Sequence, residues 1–185
     1  MKKFILPIAT IAAVAALVFL FPRKSSVLRL IDLRESSREF STAPLDDKTT
    51  GAILWAAFGT NSRGTRTIAT SKNEQNLKVY AVRADGAFLF EDGSLTKVVE
   101  GDLRPLFARQ DFVSNAPLTL LFAGTDRRVS PLHAGSAYQN VSLYCAEKGL
   151  AQVVRAYYDA EAVEKALGMK KGEFSIISQT IGFKK

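Results

Sequence analysis

The chain has 185 residues, 47% of them hydrophobic, and a formal net charge of +7, with a single cysteine and a single histidine. This length and apolar content suit one buried domain plus an appendage. One cysteine excludes an internal disulfide, and one histidine argues against most zinc sites and against a Ser-His-Asp hydrolase. Five of the basic residues lie in residues 1–29, which contain no acid. The remainder is therefore near neutral, which argues against a nucleic-acid-binding protein.

Residues 1–26 predict an N-terminal membrane anchor or a signal segment. Basic residues precede and follow an uncharged apolar run from Phe4 to Phe21. At about 1.5 Å per residue this run just suffices to cross a hydrocarbon core. The competing interpretation, a secretory signal, has a poor cleavage site at residues 13–15. We therefore expect an uncleaved anchor on a bacterial membrane-anchored or exported protein, with the domain on the periplasmic side.

Residues 27–185 predict one α+β domain in which helices alternate irregularly with strands. Hydrophobic spacing and helix-end signals indicate helices over residues 25–37, 44–59, 101–113, 130–149 and 159–168. Five strands are expected, two of them in a hairpin around Asp85-Gly86 and the others over residues 117–124, 151–158 and 172–183. Between the second helix and the hairpin lies a long polar segment, residues 60–76, and long segments of this kind are often functional.

The stretch "LRESSREF" permits two interpretations. Arg34 and Arg38 stand four residues apart, with Ser36 and Ser37 between them. Such residues are common at a solvated helix end. Two guanidiniums with hydroxyls between them also suit the oxygens of a phosphate group. The spacing alone does not decide between the two.

The long predicted helix carries a cluster of small residues that also has two interpretations. It packs either within the subunit or against another subunit of a homodimer. The face consists of Ala134, Gly135, Ser136, Ala137, Val141 and Tyr144.

The side chains offer little chemistry of their own. The chain has no GxGxxG after a first strand and no GxxxxGK[ST], and its acid pairs are explained as helix-end charges. Cys145 lies in an apolar helical stretch and is expected to be a core residue. If the protein is an enzyme, a cofactor should carry the reaction, which favours the phosphate interpretation of the arginines.

Six stretches in order resemble the FMN-dependent nitroreductase family, and most closely its SagB-type dehydrogenase-like branch. The resemblance covers nearly all of residues 28–185, in the stretches "RESSREF…PL", "ILWAAFG", "RTIATSKNEQNLKVYAV", "AGSAYQNVSLYCAEKGLAQVV", "DAEAVEKALGM" and "IGF". It implies a nitroreductase-like fold, with a central, mostly antiparallel sheet flanked by helices, for an FMN-binding domain spanning residues 27–185. It also implies a homodimer with FMN in a groove between the subunits.

The resemblance assigns cofactor-binding roles to two stretches. By position, Arg34, Ser36 and Arg38 would hold the FMN phosphate and ribityl chain. The resemblance implies no catalytic side chain, and we expect no metal ligand.

The second stretch, residues 69–76, corresponds to a family loop with the pattern P-S-x-x-N-x-Q-P. Thr70, Ser71 and Asn73 would then lie beside the isoalloxazine from the partner subunit. Lys72 stands where the family normally has a small residue. This lysine would bind an anionic substrate or crowd the site.

Three features depart from the family pattern or have a simpler explanation. Many members have a Glu-Gly pair that contacts the flavin where residues 155–157 stand here. Many also end in a basic segment, for which Lys184 and Lys185 would substitute. Gln139 and Asn140 match a family "QN" pair, but we favour a simpler explanation for both, in which they are helix polar groups that satisfy neighbouring backbone.

The resemblance implies an FMN-dependent oxidoreductase that reduces small electrophiles, such as nitroaromatics or quinones, with NAD(P)H by ping-pong hydride transfer. One alternative is a non-catalytic, membrane-tethered flavin-binding module, which is motivated by Lys72 and the missing Glu-Gly pair. Another is a SagB-type dehydrogenase acting on modified peptides.

Overall fold

A computed structural model describes residues 26–185 of the chain. The predicted anchor, residues 1–26, lies outside the described residues except for Ser26. In the described part, no helix is both long and apolar enough to cross a membrane. The first helix, α1 (Ser26–Leu33), belongs to one compact unit, and residues 34–185 form a second. None of the residues of α1 is buried.

The second unit contains three further α-helices, three short 3-10 helices and six strands. The α-helices are α2 (Asp47–Phe58), α3 (Ser130–Lys148) and α4 (Ala160–Ala166). The 3-10 helices are Ser71–Asn73, Arg104–Phe107 and Asp111–Asn115. The strands are β1 (Leu77–Arg83), β2 (Gly86–Glu91), β3 (Ser94–Glu100), β4 (Leu118–Gly124), β5 (Leu150–Arg155) and β6 (Phe174–Phe183).

The six strands form one antiparallel sheet in the order β3-β2-β1-β4-β6-β5. In the sheet, Leu77 of β1 lies opposite Gly124 of β4, and Leu118 of β4 lies opposite Ile181 of β6. Strand β5 therefore forms one edge of the sheet, with Leu150 opposite Phe183. The expected α+β class and the mostly antiparallel central sheet are confirmed.

Both faces of the sheet are covered, because side chains alternate between them along each strand. In β4, Leu120 and Phe122 pack in the cluster that contains α2 and α3. Leu121 and Ala123 point the other way, into a cluster with the 3-10 helices and α4. The first turn of α3 approaches β4 closely. Any side chain at Gly124 would clash with the side chain of Ser130.

Most predicted elements are confirmed, and three differ. The helix expected over residues 25–37 ends at Leu33, and residues 34–37 are not helical. Strand β3 was not predicted, because all of its side chains but one are exposed and its sequence lacks a hydrophobic face. The helix expected over residues 101–113 is replaced by two 3-10 turns. Pro105 lies in the first of these turns, and it cannot donate the backbone hydrogen bond that an α-helix would use there.

The small-residue face of α3 packs inside the subunit. Ala134, Ala137 and Val141 are buried in the same cluster as Ile53 and Ala57 of α2. Ser136, by contrast, is exposed. Packing within the chain therefore accounts for the buried members of this face.

Candidate functional site

The arginine segment, residues 34–41, lies along the β5 edge of the sheet. Its backbone is fixed at two points: Ser37 donates its N–H to Gln152 O, and Ser41 donates its N–H to Phe183 O, both at 2.9 Å. Phe40 forms an isolated bridge with Lys184. The segment thus adds extended backbone to a strand edge, which satisfies groups that an edge strand would otherwise leave unpaired.

The side chain of Gln152 fixes the same segment a second time. Its Nε2 donates to Glu35 O at 2.6 Å, while its Oε1 accepts from Gln179 Nε2 at 2.9 Å. Ser142 of α3 joins this network through Gln152 Oε1 and the carbonyl of Tyr138. The network is buried, so each bond that it loses leaves a costly unpaired group.

The predicted phosphate ligands have free donors. Arg34 is partly buried, whereas Ser36 and Arg38 are exposed. Within residues 26–185, no hydrogen bond or ion pair occupies these three side chains. Two guanidiniums and a hydroxyl on a backbone fixed at both ends are a donor set that fits a phosphate dianion. The residues present therefore fit the phosphate of FMN.

Lys184 reaches this segment. Its Nζ lies 2.6 Å from Glu35 Oε1, next to Arg34 in sequence. The hydrogen bond from Lys184 lowers the pKa of the Glu35 carboxyl. The end of β6 thus brings a basic residue beside the arginine segment.

Residues 69–76, the polar loop, have an unusual backbone. Lys72, Asn73 and Gln75 have φ angles of 51°, 57° and 50°, in the left-handed region. Residues other than glycine rarely adopt this conformation, and such residues cluster at functional sites. Thr70 Oγ1 accepts the N–H of Gln75, and the Asn73 side chain accepts from that of Gln75. The Lys72 side chain is exposed.

Two side chains from outside the loop fasten it. His133 of α3 accepts the Ser71 N–H through Nε2 at 2.8 Å, and its Nδ1 lies 3.0 Å from Asn76 Oδ1. Arg66 donates to Gln75 Oε1 at 2.8 Å and is itself held by Phe58 O and Asp92. These contacts set the shape of the loop.

The polar loop and the arginine segment lie at opposite ends of the sheet. The loop ends at Asn76, just before Leu77, which is opposite Gly124 at one end of β4. The arginine segment contacts Phe183, beyond Ile181, which is opposite Leu118 at the other end of β4. Seven residues of strand span roughly 20 Å. The structure therefore does not bring the two predicted groups of flavin ligands together within one chain.

Residues 155–157 lie at the end of the β5 edge. The Arg155 side chain is buried and donates to Phe107 O, Tyr157 O and Gln110 Oε1. Its Nη1 has no hydrogen-bond partner in the described part of the chain, and burial lowers the pKa of the guanidinium. Arg155 therefore ties the 3-10 turns to the sheet.

Of the "QN" pair, Asn140 has the role that the simpler explanation predicts, because it satisfies neighbouring backbone groups. Its Nδ2 donates to Ala56 O and Thr67 O, which joins α2 and the start of the loop to α3. Gln139 is exposed. Asn140 thus stabilises the scaffold under the polar loop.

A cavity of about 470 Å³ lies between the start of α2 and the β1–β2 turn, and its lining includes Thr42, which directly follows the arginine segment. Two arginines line it, but each already has a carboxylate partner. Arg83 pairs with Asp47 and Asp85, and Arg104 pairs with Asp102. These charges are neutralised, so the cavity is not assigned as an anion site.

The two side chains most often used as nucleophile or base are not available. Cys145 is buried, and burial raises the pKa of its thiol to about 12. Both ring nitrogens of His133 are already hydrogen-bonded. No group of His, Cys, Asp and Glu within residues 26–185 could hold a metal ion. The expected core position of Cys145 is confirmed.

Sequence reasoning found the two segments but missed the residues that fix them. Gln152, His133 and Arg66 carry no motif, and their partners lie 117, 62 and 9 residues away. A signal existed only for His133, since it is the one histidine in the chain.

Comparisons with known proteins place the chain in a family. The profile of the nitroreductase family matches residues 31–183. A protein of Methanocaldococcus jannaschii assigned as a nitroreductase is 27% identical over 176 residues, covering 82% of this chain and 87% of the relative. A crystal structure of a protein from Ralstonia eutropha, likewise assigned as a nitroreductase, is 32% identical, with a TM-score of 0.80 and coverage of 89% of this chain and 87% of that chain.

More distant structures share the fold. One from Desulfovibrio desulfuricans, determined in complex with FMN, is 20% identical with a TM-score of 0.66 and covers 86% of this chain and 87% of its own. The Escherichia coli microcin synthetase complex McbBCD contains a chain that is 15% identical with a TM-score of 0.73, covering 100% of this chain and 76% of that one. From the family match and the Ralstonia structure, the chain belongs to the nitroreductase family of oxidoreductases, whose members commonly bind FMN.

Proposed function

We propose that the protein is an FMN-dependent oxidoreductase that reduces small electrophiles, such as nitroaromatics or quinones, with NAD(P)H. Family membership supports this proposal, and the arginine segment carries it. Arg34, Ser36 and Arg38 offer free donors on a backbone that is fixed at Ser37 and Ser41. Bound FMN would accept a hydride from NAD(P)H and pass the electrons on to the electrophile.

The chain's own residues bind and orient the cofactor. The Arg34 and Arg38 guanidiniums and the Ser36 hydroxyl would hold the phosphate, and Gln152 keeps their backbone in place. Charge-assisted hydrogen bonds of this kind are about twice as strong as neutral ones. Neither Cys145 nor His133 is free to act as nucleophile or base, which agrees with a reaction carried by the cofactor.

A second copy of the chain would complete the site. Thr70, Ser71 and Asn73 would lie beside the isoalloxazine, at the far end of the sheet from the arginine segment of their own chain. Because roughly 20 Å separates these groups along β4, the segment of one subunit and the loop of the other would form each site. The Lys72 ammonium is exposed in that loop, where it would contact an anionic substrate.

The first test is a visible absorption spectrum of the full chain purified without added flavin. We expect flavin bands that bleach with NADH or NADPH under anaerobic conditions and return with an electrophile. A colourless protein that also fails to take up FMN would overturn the cofactor assignment. Bound flavin that no donor reduces would instead favour a non-catalytic flavin-binding module, which Lys72 and the absent Glu-Gly pair support.

The same preparation distinguishes the SagB-type alternative from the proposed reduction of small electrophiles. Reduced flavin that transfers electrons to neither nitroaromatics nor quinones, but reoxidises slowly in air, would favour a dehydrogenase whose substrate is a modified peptide. The McbBCD likeness supports only the fold in this argument.

A mixed dimer tests the shared site. An Arg38→Ala chain and a Thr70→Ala/Asn73→Ala chain are co-expressed with different affinity tags and purified through both. If each site combines two chains, the mixed dimer has one intact site, and we expect about half the flavin occupancy of the wild type. If each site lies within one chain, both sites of the mixed dimer are defective and occupancy stays as low as in either parent.

A further inference from the structure

His133 is the only histidine of the chain, and the proposed reaction does not use it. It lies in the first turns of α3, is 5% exposed, and contacts the polar loop at Ser71 and at Asn76, five residues further along the chain. We infer that His133 is a positioning residue that holds the polar loop in its flavin-facing shape through a fixed neutral tautomer. That the loop faces the flavin rests on the proposed function. The tautomer and the two hydrogen bonds from His133 to the loop do not depend on it.

The hydrogen bonds determine where the imidazole proton lies. A backbone N–H can only donate, so the Ser71 N–H requires a lone pair on Nε2. A neutral imidazole then carries its proton on Nδ1, which donates to Asn76 Oδ1. The tautomer with the proton on Nε2 would place two donors against each other at 2.8 Å and leave Nδ1 facing an oxygen lone pair.

The loop needs such a fastening because its backbone is strained. Lys72, Asn73 and Gln75 adopt left-handed φ angles, a conformation that persists only where the surroundings impose it. His133 fixes the loop before and after these three residues. Arg66 fixes only the side chain of Gln75 between them.

Two variants separate the two bonds. Gln in place of His133 puts an amide oxygen near the position of Nε2 and keeps an acceptor for Ser71. Asn puts its amide nitrogen near the position of Nδ1 and keeps the bond to Asn76, but it offers nothing to Ser71. Both are neutral amides, and the unfolding midpoint of each variant corrects for the lower helix propensity of Asn.

The experiment uses the full chain without a histidine tag. With ¹⁵N-histidine labelling, the single imidazole gives one pair of ring signals, and we expect the pattern of the Nδ1–H tautomer at neutral pH. Amide exchange at Ser71 should be slow in the wild type and in His133→Gln, and at least roughly tenfold faster in His133→Asn. An Nε2–H tautomer, or equal exchange in the two variants, would overturn the inference.

FMN binding, followed by flavin fluorescence, provides the functional readout. We expect His133→Asn to weaken FMN binding by about tenfold and His133→Gln by less than about threefold, consistent with the loss of one hydrogen bond. Unfolding midpoints measured on both variants control for a folding defect.

The outcomes distinguish this inference from the proposed function. The expected tautomer and Ser71 exchange, together with no FMN binding by any chain, would refute the proposed function and leave the fastening role of His133 intact. FMN binding that responds equally to His133→Asn and His133→Gln would refute the positioning role and leave the flavin assignment intact.

Discussion

The arginine segment and the polar loop are fixed to the same scaffold by different means. The arginine segment is attached through backbone hydrogen bonds at Ser37 and Ser41, with Gln152 as reinforcement. The polar loop is attached through the side chains of His133 and Arg66. Backbone attachment tolerates many side-chain changes, whereas a single substitution removes a side-chain attachment. The shape of the loop should therefore be the more easily altered of the two.

The long helix α3 connects the two regions. His133 in its first turns contacts the polar loop, and Ser142, nine residues later, joins the network that fixes the arginine segment. At about 1.5 Å per residue these contacts are roughly 14 Å apart along the helix. One rigid element thus sets the position of both groups.

The largest effect on cofactor binding is expected for Arg38→Ala. The side chain is exposed and unpaired within residues 26–185, so its loss should leave folding unchanged. It should weaken FMN binding by about 100-fold, because charge-assisted hydrogen bonds to the phosphate are lost. Equilibrium titration with FMN measures this, with Arg128→Ala as an exposed control. Equal affinity in the two variants would show that the segment is only a solvated strand edge with no role in phosphate binding.

Gln152→Leu tests whether backbone attachment is sufficient for the arginine segment. The substitution removes the bond to Glu35 O and the acceptor that Gln152 Oε1 offers to Gln179 Nε2 and Ser142 Oγ in a buried network, although both of these groups keep a bond to Tyr138 O. We expect a loss of about 2 kcal/mol in the free energy of unfolding. The Ser37–Gln152 backbone bond remains, so FMN affinity should fall less than in Arg38→Ala.

Urea denaturation and FMN titration of the same samples check this prediction. Gln139→Leu, which changes an exposed glutamine of α3, is the control. If Gln152→Leu abolished FMN binding while remaining folded, the side chain rather than the backbone would be the main attachment.

The sequence predicted the elements whose residues carry local signals. The β1–β2 hairpin followed from alternation around Asp85-Gly86, and α3 ends at Gly149, which has the left-handed conformation of a helix C-cap. Strand β3 has no such signal. Its polar residues, including Lys97, are typical of an exposed edge. Pattern reasoning therefore fails where a strand buries neither face.

The residues of the candidate site also divide into those with a local sequence signal and those without one. The arginine segment and the polar loop carry local motifs, so they could be located from the sequence. Their attachment could not, because Gln152 and Glu35 are 117 residues apart and His133 and Ser71 are 62 apart. Such contacts depend on the register of the sheet and the position of α3, which no local pattern specifies.

Arg66→Met should loosen the polar loop together with its attachment to the end of α2 and to the turn after β2. The substitution removes bonds to Gln75 Oε1, Phe58 O and Asp92, and the side chain that makes them is 15% exposed. We expect a loss of about 1–2 kcal/mol in the free energy of unfolding. Limited proteolysis should show faster cleavage within residues 69–76.

The control is Arg63→Met, which changes an exposed arginine of the same polar segment that has no side-chain partner in the described chain. If both variants were cleaved at the wild-type rate, His133 alone would suffice to hold the loop.

The smallest effect is expected from the ion pair that follows the loop. Lys78 Nζ lies 2.6 Å from Glu173 Oε1. The hydrogen bond from Lys78 lowers the pKa of the Glu173 carboxyl from its ordinary value of 4.5, and the bond from Glu173 raises the pKa of Lys78 above 10.5. Because the carboxyl pKa is lower in the folded state, the carboxylate's contribution is present above pH 4.5 and is lost as the pH falls through the folded value.

The lysine follows the opposite rule, since its contribution is present below pH 10.5 and is lost as the pH rises through the folded value. Glu173→Gln should therefore cost about 1 kcal/mol of stability, a modest figure because the lysine side chain is partly solvated. The difference from wild type should be constant from about pH 5 to 10 and shrink outside that range. Urea denaturation across pH, with the exposed Glu147→Gln as control, measures it. If the difference instead grew in acid, Glu173 would stabilise the chain after the loop in its neutral form. The ion pair between Lys78 and Glu173 would then not contribute to the attachment of the loop.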